Sequence, residues 1–186
     1  MPVTRSQPAP DVRERILVEA TRLFAASGFD GTSLQDIADA VGVTKPSLLY
    51  HFPSKDDLRQ AVLAELLARW NDELPRLLVA ATSADEQFSA VANETVRFLS
   101  QDPNRARVLL REVLDRPAEA GKLIETHVRP WVNIIGAYIR KGVEQGRVHA
   151  DICPEAYVAL CMNLVLANVA MRDSLQAIGP SVVDAQ

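Results

Sequence analysis

Residues 34–51 read LQDIADAVGVTKPSLLYH, and this stretch decides the predicted fold. Apolar residues recur at helical spacing on both sides of Gly42, which should end one short helix. Thr44 is placed to cap the next helix, and Pro46 falls in its first turn, where a missing N–H costs little. The spacing therefore predicts two short helices joined by a tight turn, the helix-turn-helix arrangement.

The sequence on either side of this stretch is also predicted to be helical. Upstream, an apolar stripe begins after Asp11 and ends near Gly28. Downstream, Ser54 should cap a fourth helix that ends or kinks at Pro75. Further helices are expected at about 85–101, 103–116, 118–146 and 154–178. Pro130 should divide or bend the third of these. No sustained β-alternation occurs, so the predicted fold class is all-α.

Composition limits the classes of protein to consider. The chain has 186 residues, of which 48% are hydrophobic and 24% charged, so it can bury a substantial core and wholesale disorder is excluded. The two cysteines cannot form a disulfide framework, which points to a reducing compartment or to indifference to redox state. Residues 156–171 are the most apolar stretch, but they are too short for a membrane helix. The N-terminus has no secretory pattern, so we expect a cytoplasmic protein.

The charge balance bears on possible partners. The formal net charge is −4, from 20 Lys and Arg against 24 Asp and Glu. Residues 1–60 contain seven basic and eight acidic residues, a net charge of −1. A nucleic-acid function must therefore depend on a local patch, and two copies of the chain would double the number of phosphate contacts.

The two faces of the helix-turn-helix differ in chemistry. An apolar inner face would pack against the first helix and comprises Leu34, Ile37, Ala38, Val43 and Leu48. The outer face carries hydrogen-bond donors that reach phosphates and base edges, namely Thr44, Lys45, Ser47, Tyr50 and His51. We assign Phe52 to the core and Tyr50 to the outer face, because Leu48 and Phe52 already complete the apolar stripe. His51 fits either place.

Residues 16–58, ILVEATRLFAASGFDGTSLQDIADAVGVTKPSLLYHFPSKDDL, contain an ordered set of motifs. They are LF-x-x-x-G, TS, DIA, GVTK and YHF-x-SK-x-x-L. The region from about Arg13 to Leu58 thereby resembles the DNA-binding domain of the TetR family of bacterial transcriptional regulators. The resemblance implies a three-helix DNA-binding domain at residues 11–54 and a larger helical ligand-binding and dimerisation domain at residues 55–186. Residues 1–10, with three prolines, are expected to be a mobile tail.

The resemblance also implies which residues contact DNA. They are Thr32 and Ser33 before the second helix, Thr44, Lys45, Ser47, Leu49, Tyr50 and His51 around the third, and Lys55 at the start of the fourth. Two positions depart from the family pattern. Pro46 replaces a residue that is usually glycine or small, which removes one backbone N–H contact. Leu49 replaces a frequent tyrosine, and it is suited either to a thymine methyl group or to packing.

The region after the fourth helix begins has no motif of its own. Aromatic and histidine side chains there are candidates for lining a ligand pocket or for plain core: Trp70, Phe88, Phe98, His127, Trp131 and Tyr138. His127 and Trp131 are four residues apart and should share a helix face. The final helix is apolar on more than one side, so we expect a dimer formed by this helix and the helix at 128–146, although burial within one chain would give the same pattern.

Catalytic and metal-binding patterns are missing from the sequence. There is no Gly-rich phosphate loop, no G-x-S-x-G and no H-E-x-x-H, so we expect neither an enzyme nor a cofactor. His149, Cys153 and Cys161 do not form a zinc pattern, so no metal is expected. The leading interpretation is a ligand-responsive repressor that binds a palindromic operator as a homodimer. The alternative is a helical small-molecule-binding or protein-interaction module without sequence-specific DNA binding.

Overall fold

A computed structural model of the chain describes residues 11–80, 84–146, 148–149 and 151–177, and the predicted tail at 1–10 lies outside them. All regular structure in these residues is helical, which confirms the all-α class. They form two compact units, divided between Ala64 and Glu65. The domain boundary predicted from the sequence lies earlier, between residues 54 and 55.

The first unit contains three short helices and the start of a long one. They are α1 (Val12–Ser27), α2 (Leu34–Val41), α3 (Lys45–His51) and the first part of α4 (Lys55–Ala80). These bounds confirm the predicted start and end of each of the first three helices. The side chains of Ile16, Ile37, Leu48 and Leu58 are fully buried and form the centre of this unit.

Local signals in the sequence account for the helix ends. Gly42 ends α2 with φ of +76°, a left-handed conformation that glycine adopts without steric cost. Thr44 caps α3, since its hydroxyl oxygen accepts a hydrogen bond from the Ser47 N–H at 3.3 Å. Ser54 caps α4 in the same way, accepting from the Asp57 N–H at 3.0 Å. Asp11 occupies the N-cap position of α1, but its side chain makes no cap bond.

The sequence predicts that α4 ends or kinks near Leu74, and the predicted end is wrong. The helix continues through Pro75 to Ala80. A proline within a helix removes the hydrogen bond to the carbonyl four residues earlier, here that of Asn71, and leaves the other bonds in place. A single missing bond is therefore compatible with a helix of 26 residues.

The second unit is built from the remaining helices. They are the rest of α4, α5 (Ala84–Gln101), α6 (Pro103–Asp115), α7 (Pro117–Leu123), α8 (Arg129–Glu144), α9 (Pro154–Ala170) and α10 (Arg172–Leu175). A π-helical turn, Ile124–Val128, separates α7 from α8. It ends two residues before Pro130, which lies in the first turn of α8, and this confirms that the predicted 118–146 helix is interrupted near this proline. Since Pro130 has no N–H, the regular bonding pattern cannot continue through it.

The predicted helix at 154–178 is wrong in its extent. α9 ends at Ala170, and a turn at Met171 separates it from the short α10. The guanidinium of Arg107 holds this end, because it donates to the Ala170 carbonyl at 3.1 Å and forms an ion pair with Asp173. The predicted stop at Gly179 and Pro180 lies outside the described residues.

Two helical glycines provide a test of packing in the second unit. A Cβ at Gly142 in α8 would lie 2.9 Å from Cγ2 of Val148, whereas a Cβ at Gly121 in α7 would meet nothing within 4 Å. Both alanine variants gain about 0.5–1 kcal/mol from helix propensity. Only Gly142→Ala also incurs an overpacking penalty of about 1–3 kcal/mol. We expect Gly142→Ala to be less stable than Gly121→Ala by that amount in urea unfolding, and equal stability would contradict the close contact.

Candidate nucleic-acid interface

The helix-turn-helix is held together from its apolar side. Ile37 and Ala38 of α2 and Leu48 of α3 are fully buried. On α1, the guanidinium of Arg15 donates to the carbonyl of Val41, the last residue of α2. A cation at this end also stabilises the helix dipole. The orientation of α2 and α3 is therefore fixed by both packing and a charged hydrogen bond.

The outer face of α3 remains accessible. Tyr50 is 85% exposed, and its ring makes an edge contact with the ring of His51 at a centroid distance of 5.3 Å. Thr44 and Lys45 are exposed, while Ser47, Leu49 and His51 are half-buried. Phe52, in contrast, is 4% exposed, which confirms its assignment to the core.

The N-terminus of α3 is suited to bind an anion. Thr44 uses its hydroxyl oxygen as the acceptor of the cap bond, so its hydroxyl hydrogen remains available for donation. The first-turn N–H groups carry the positive end of the helix dipole, and Lys45 adds a full charge beside them. Pro46 contributes no N–H at this end.

The local charge differs from that of the whole module. No Asp or Glu occurs between Asp39 and Asp56, and this segment contains Lys45 and Lys55. Residues 40–55, which include all of α3, therefore carry a local charge of +2, although residues 1–60 carry a net charge of −1. Such a patch supplies the attraction to phosphate that the overall composition lacks.

Thr32 is buried, whereas the other predicted contact residues are exposed or half-buried. It is 2% exposed, and its hydroxyl lies 2.8 Å from the Gly28 carbonyl and 3.2 Å from the Leu23 carbonyl. A hydroxyl engaged inside the unit holds the loop between α1 and α2 to the end of α1. We therefore assign Thr32 to positioning this loop and leave it out of the proposed contact surface.

Gly31 and Phe29 shape the same loop, and neither belongs to a motif that predicts a contact with DNA. A Cβ at Gly31 would lie 2.4 Å from the Ser27 carbonyl oxygen, so only glycine fits there. The Phe29 ring is flanked by the ammonium of Lys55, 4.2 Å from its centroid, and by the guanidinium of Arg59, at 5.7 Å. These cation–π contacts connect the loop to the start of α4 and place Lys55 beside it.

Ser33 and Asp36 form a capping box at the start of α2. The Ser33 Oγ accepts from the Asp36 N–H at 3.1 Å, and the Asp36 carboxylate accepts from the Ser33 N–H at 2.8 Å. The Ser33 side chain and backbone together lower the pKa of Asp36 from its ordinary value of 3.8. Ser33 is exposed at the edge of the proposed contact surface.

The lowered pKa of Asp36 predicts a pH dependence of stability. A carboxyl group whose pKa is lower in the folded state stabilises the protein above its unfolded pKa, and this contribution is lost as the pH falls through the folded value. We expect Asp36→Asn to unfold at a lower temperature than wild type at neutral pH, with the difference shrinking below about pH 4. Asp11 lies at an N-cap without a cap bond, so Asp11→Asn should have the same unfolding temperature as wild type at every pH in this range. A constant difference for Asp36→Asn across this range would refute the assignment.

The candidate ligand residues lie in the second unit. Trp70 packs against two apolar clusters, and its ring centroid is 5.8 Å from that of Phe98, which is 8% exposed. Tyr138 is half-buried, and the side chain of Phe88 lies outside the described residues. His127 and Trp131 both bond to the side chain of Asn71 on α4, so they do share a face. No pattern in the sequence indicates this role of Asn71, because its partners lie far away along the chain.

Within the described ranges, no group of three or more His, Cys, Asp or Glu side chains is arranged to hold a metal ion. Over the same ranges, no helix is both long and apolar enough to cross a membrane.

Comparison with known proteins identifies the class of protein to which this fold and interface belong. Residues 16–62 match the family model for bacterial regulatory proteins of the tetR family. The chain is 36% identical over 160 residues to the HTH-type transcriptional repressor KstR2 of Mycolicibacterium smegmatis, a match that covers 81% of this chain and 74% of that protein. The chain therefore belongs to the TetR family of transcriptional regulators.

Another relative matches over a shorter length. The HTH-type transcriptional regulator RutR of Escherichia coli K12 is 35% identical over 116 residues, covering 59% of this chain and 51% of RutR. The chain thus spans about half the length of that relative.

Solved structures share the fold at low sequence identity. The ketosteroid transcriptional regulator KstR2 of Mycobacterium tuberculosis aligns over 95% of both chains with a TM-score of 0.74 and 17% identity. The FadR regulator of Bacillus subtilis, in complex with stearoyl-CoA, aligns over 91% of this chain and 90% of its own with a TM-score of 0.70 and 17% identity. These matches show that the described part of the chain shares the fold of these regulators.

Proposed function

We propose that the protein is a ligand-responsive transcriptional repressor that binds a palindromic operator as a homodimer in the bacterial cytoplasm. The observation that carries this proposal is the helix-turn-helix of α2 and α3, whose apolar face is buried and whose basic outer face is exposed. In this proposal residues 11–54 form the DNA-binding domain and residues 55–186 the ligand-binding and dimerisation domain.

α3 would enter the major groove as the recognition helix. Thr44 and Lys45 would contact phosphate at its N-terminus, and Tyr50 would reach phosphates or base edges from its exposed side. Leu49 would contact a thymine methyl group. The full proposed contact surface is Ser33, Thr44, Lys45, Ser47, Leu49, Tyr50, His51 and Lys55.

Exposed apolar side chains support a dimer through the second unit. Leu160 and Leu164 on α9 are 62% and 71% exposed, and Tyr157 lies one turn before them on the same helix. Ile134 on α8 is also exposed, at 37%. Two α9 helices packed with two α8 helices would cover these side chains. Dimerisation would present two recognition helices to half-sites about 34–36 Å apart.

The proposed response to ligand depends on α4, which contributes residues to both units. A small molecule bound in the second unit would shift α4 and change the spacing of the two recognition helices. To release DNA, the ligand must bind more tightly to the arrangement that cannot bind the operator.

The proposed effector is a mostly apolar small molecule. Side chains of α4, α8 and α9 form apolar clusters around Trp70 in the second unit, and ligand sites are mostly apolar. One structural neighbour is described as a ketosteroid transcriptional regulator, and another is in complex with stearoyl-CoA. The ketosteroid skeleton and the stearoyl chain are apolar, although coenzyme A itself is a charged nucleotide, and these apolar parts support the same class of ligand here.

The experiment that tests DNA recognition is selection of genomic fragments by the purified protein at near-physiological salt, followed by sequencing. Enrichment of an inverted repeat is the expected result, and it would establish a sequence-specific dimer. Genes beside the enriched sites would then narrow the effector.

The net charge of the N-terminal module favours one other candidate, a helical ligand-binding or interaction module without sequence-specific DNA binding. For that candidate the same selection would yield no enriched sequence. Single copies of the module would then bind DNA weakly, with a steep loss of affinity as salt rises.

A further inference from the structure

A hydrogen-bonded relay in the second unit connects three helical segments. The Asn71 side chain, on α4, accepts from the indole Nε1–H of Trp131 on α8 at 3.2 Å. The same side chain lies with its Nδ2 atom 3.0 Å from Nδ1 of His127, in the π-helical turn. Asn71 is thereby bonded to residues 56 and 60 positions away in the sequence.

The chemistry of these groups fixes the direction of each bond. An indole N–H is only a donor, so the oxygen of the Asn71 amide must face Trp131. The amide nitrogen, also a donor, must then face Nδ1 of His127. Two donors cannot bond to each other, so Nδ1 must carry the lone pair. His127 is therefore the neutral tautomer with its hydrogen on Nε2.

The Nε2–H of His127 is the open end of this relay. His127 is half-buried, and no described residue accepts a hydrogen bond from its Nε2. Trp131, at the other end, packs against the apolar cluster of Ile135 and Val158. His127 and Trp131 are one helical turn apart and share the partner Asn71, so the donor lies one turn from apolar packing. A single polar donor near apolar side chains is typical of sites that orient a ligand through one polar atom.

We propose that the Nε2–H of His127 binds an uncharged carbonyl oxygen of the effector, with Asn71 and Trp131 as positioning residues. A carboxylate would favour the doubly protonated imidazolium, whose Nδ1–H would oppose the Asn71 amide hydrogens. A ketone or ester oxygen accepts from neutral histidine and leaves the relay intact. This inference rests on the proposed effector-binding function and deepens it by naming the polar group of the ligand.

The relay also couples ligand binding to α4. A carbonyl bound at His127 polarises the imidazole and strengthens its bond to Asn71, because serial hydrogen bonds are cooperative. Asn71 lies on the helix that contributes to both units. Binding at the π-helical turn therefore acts directly on α4, through one side-chain amide.

The tautomer is measured by long-range ¹⁵N–¹H NMR on the full chain with ¹⁵N-labelled histidine. The chain contains three histidines, and the signals of His127 are those lost in His127→Gln. We expect the Nε2–H tautomer in wild type at neutral pH. The near-isosteric Asn71→Asp variant replaces the amide with a carboxylate, which accepts hydrogen bonds from both Trp131 and His127. It should therefore move the hydrogen of the His127 ring from Nε2 to Nδ1, or protonate both nitrogens. Asn133→Asp, which adds the same charge at an exposed site on α8, should leave the tautomer unchanged.

Ligand class is tested with decan-2-one and decanoate, which have the same chain length. We expect decan-2-one to shift the His127 Nε2 signal and to bind more tightly than decanoate. His127→Phe keeps an apolar ring and removes the donor, so it should weaken ketone binding about fivefold to tenfold. His149→Phe, at an exposed histidine, should bind the ketone as wild type does.

Several results would overturn this inference: an Nδ1–H or doubly protonated His127 in wild type, an unchanged tautomer in Asn71→Asp, no binding of decan-2-one, or tighter binding of decanoate. These measurements need no DNA, so they fail independently of operator binding. If the selection enriches an operator but His127 is not the Nε2–H tautomer, only the proposed relay is refuted. If His127 is the Nε2–H tautomer but the selection enriches no operator, only the proposed regulatory function is refuted.

Discussion

Replacing Leu48 with alanine should lower the free energy of unfolding by about 3 kcal/mol, within the range of about 2–5 kcal/mol for buried leucines. Leu48 is 0% exposed and lies on α3, among the fully buried side chains of the first unit. Truncation removes its burial and leaves a cavity, because close-packed neighbours relax only in part. Urea unfolding followed by circular dichroism measures the change.

Leu49 provides a matched control on the same helix. It has the same side chain one position further along and is half-buried. We expect Leu49→Ala to change stability by less than about 1 kcal/mol and to weaken operator binding, because we place this side chain against a thymine methyl group. If both variants lose similar stability and Leu49→Ala binds the operator as wild type does, Leu49 is a packing residue and leaves the contact surface.

The first three helices could be predicted from the sequence because their signals are local. Gly42 and Thr44 act on their own backbone or on groups within a few residues, so a short window contains the cause and the effect. Pro75 shows the limit of such signals. A proline predicts a lost bond at one position, and whether the helix ends there depends on packing elsewhere in the fold.

The candidate interface could be predicted only in part. The exposure of Tyr50 follows from the apolar stripe, because that stripe occupies the opposite face of α3. The burial of Thr32 does not follow, because its hydroxyl bonds to carbonyls at the end of α1, and a pattern of polar and apolar residues contains no such information. Asn71 illustrates the same limit at longer range, since its partners are 56 and 60 residues away.

The largest effect on function is expected at Lys45 and Tyr50. Removing one charged or polar contact typically costs about 1.5 kcal/mol. A symmetric dimer contains each contact twice, so Lys45→Ala or Tyr50→Ala should cost about 3 kcal/mol, or about 150-fold in operator affinity. Fluorescence anisotropy with the selected operator measures this loss, and gel filtration checks that each variant remains a folded dimer.

Salt dependence separates the roles of these two residues. Each phosphate contact contributes about −0.9 to the slope of log K against log salt, so Lys45→Ala should reduce the slope by about 1.8 in the dimer. Tyr50→Ala removes no charge and should leave the slope unchanged. Lys122→Ala, at an exposed lysine on α7, removes the same charge from the second unit and should alter neither affinity nor slope. Wild-type affinity in both the Lys45 and Tyr50 variants, with dimers intact, would mean that α3 does not present this face to DNA.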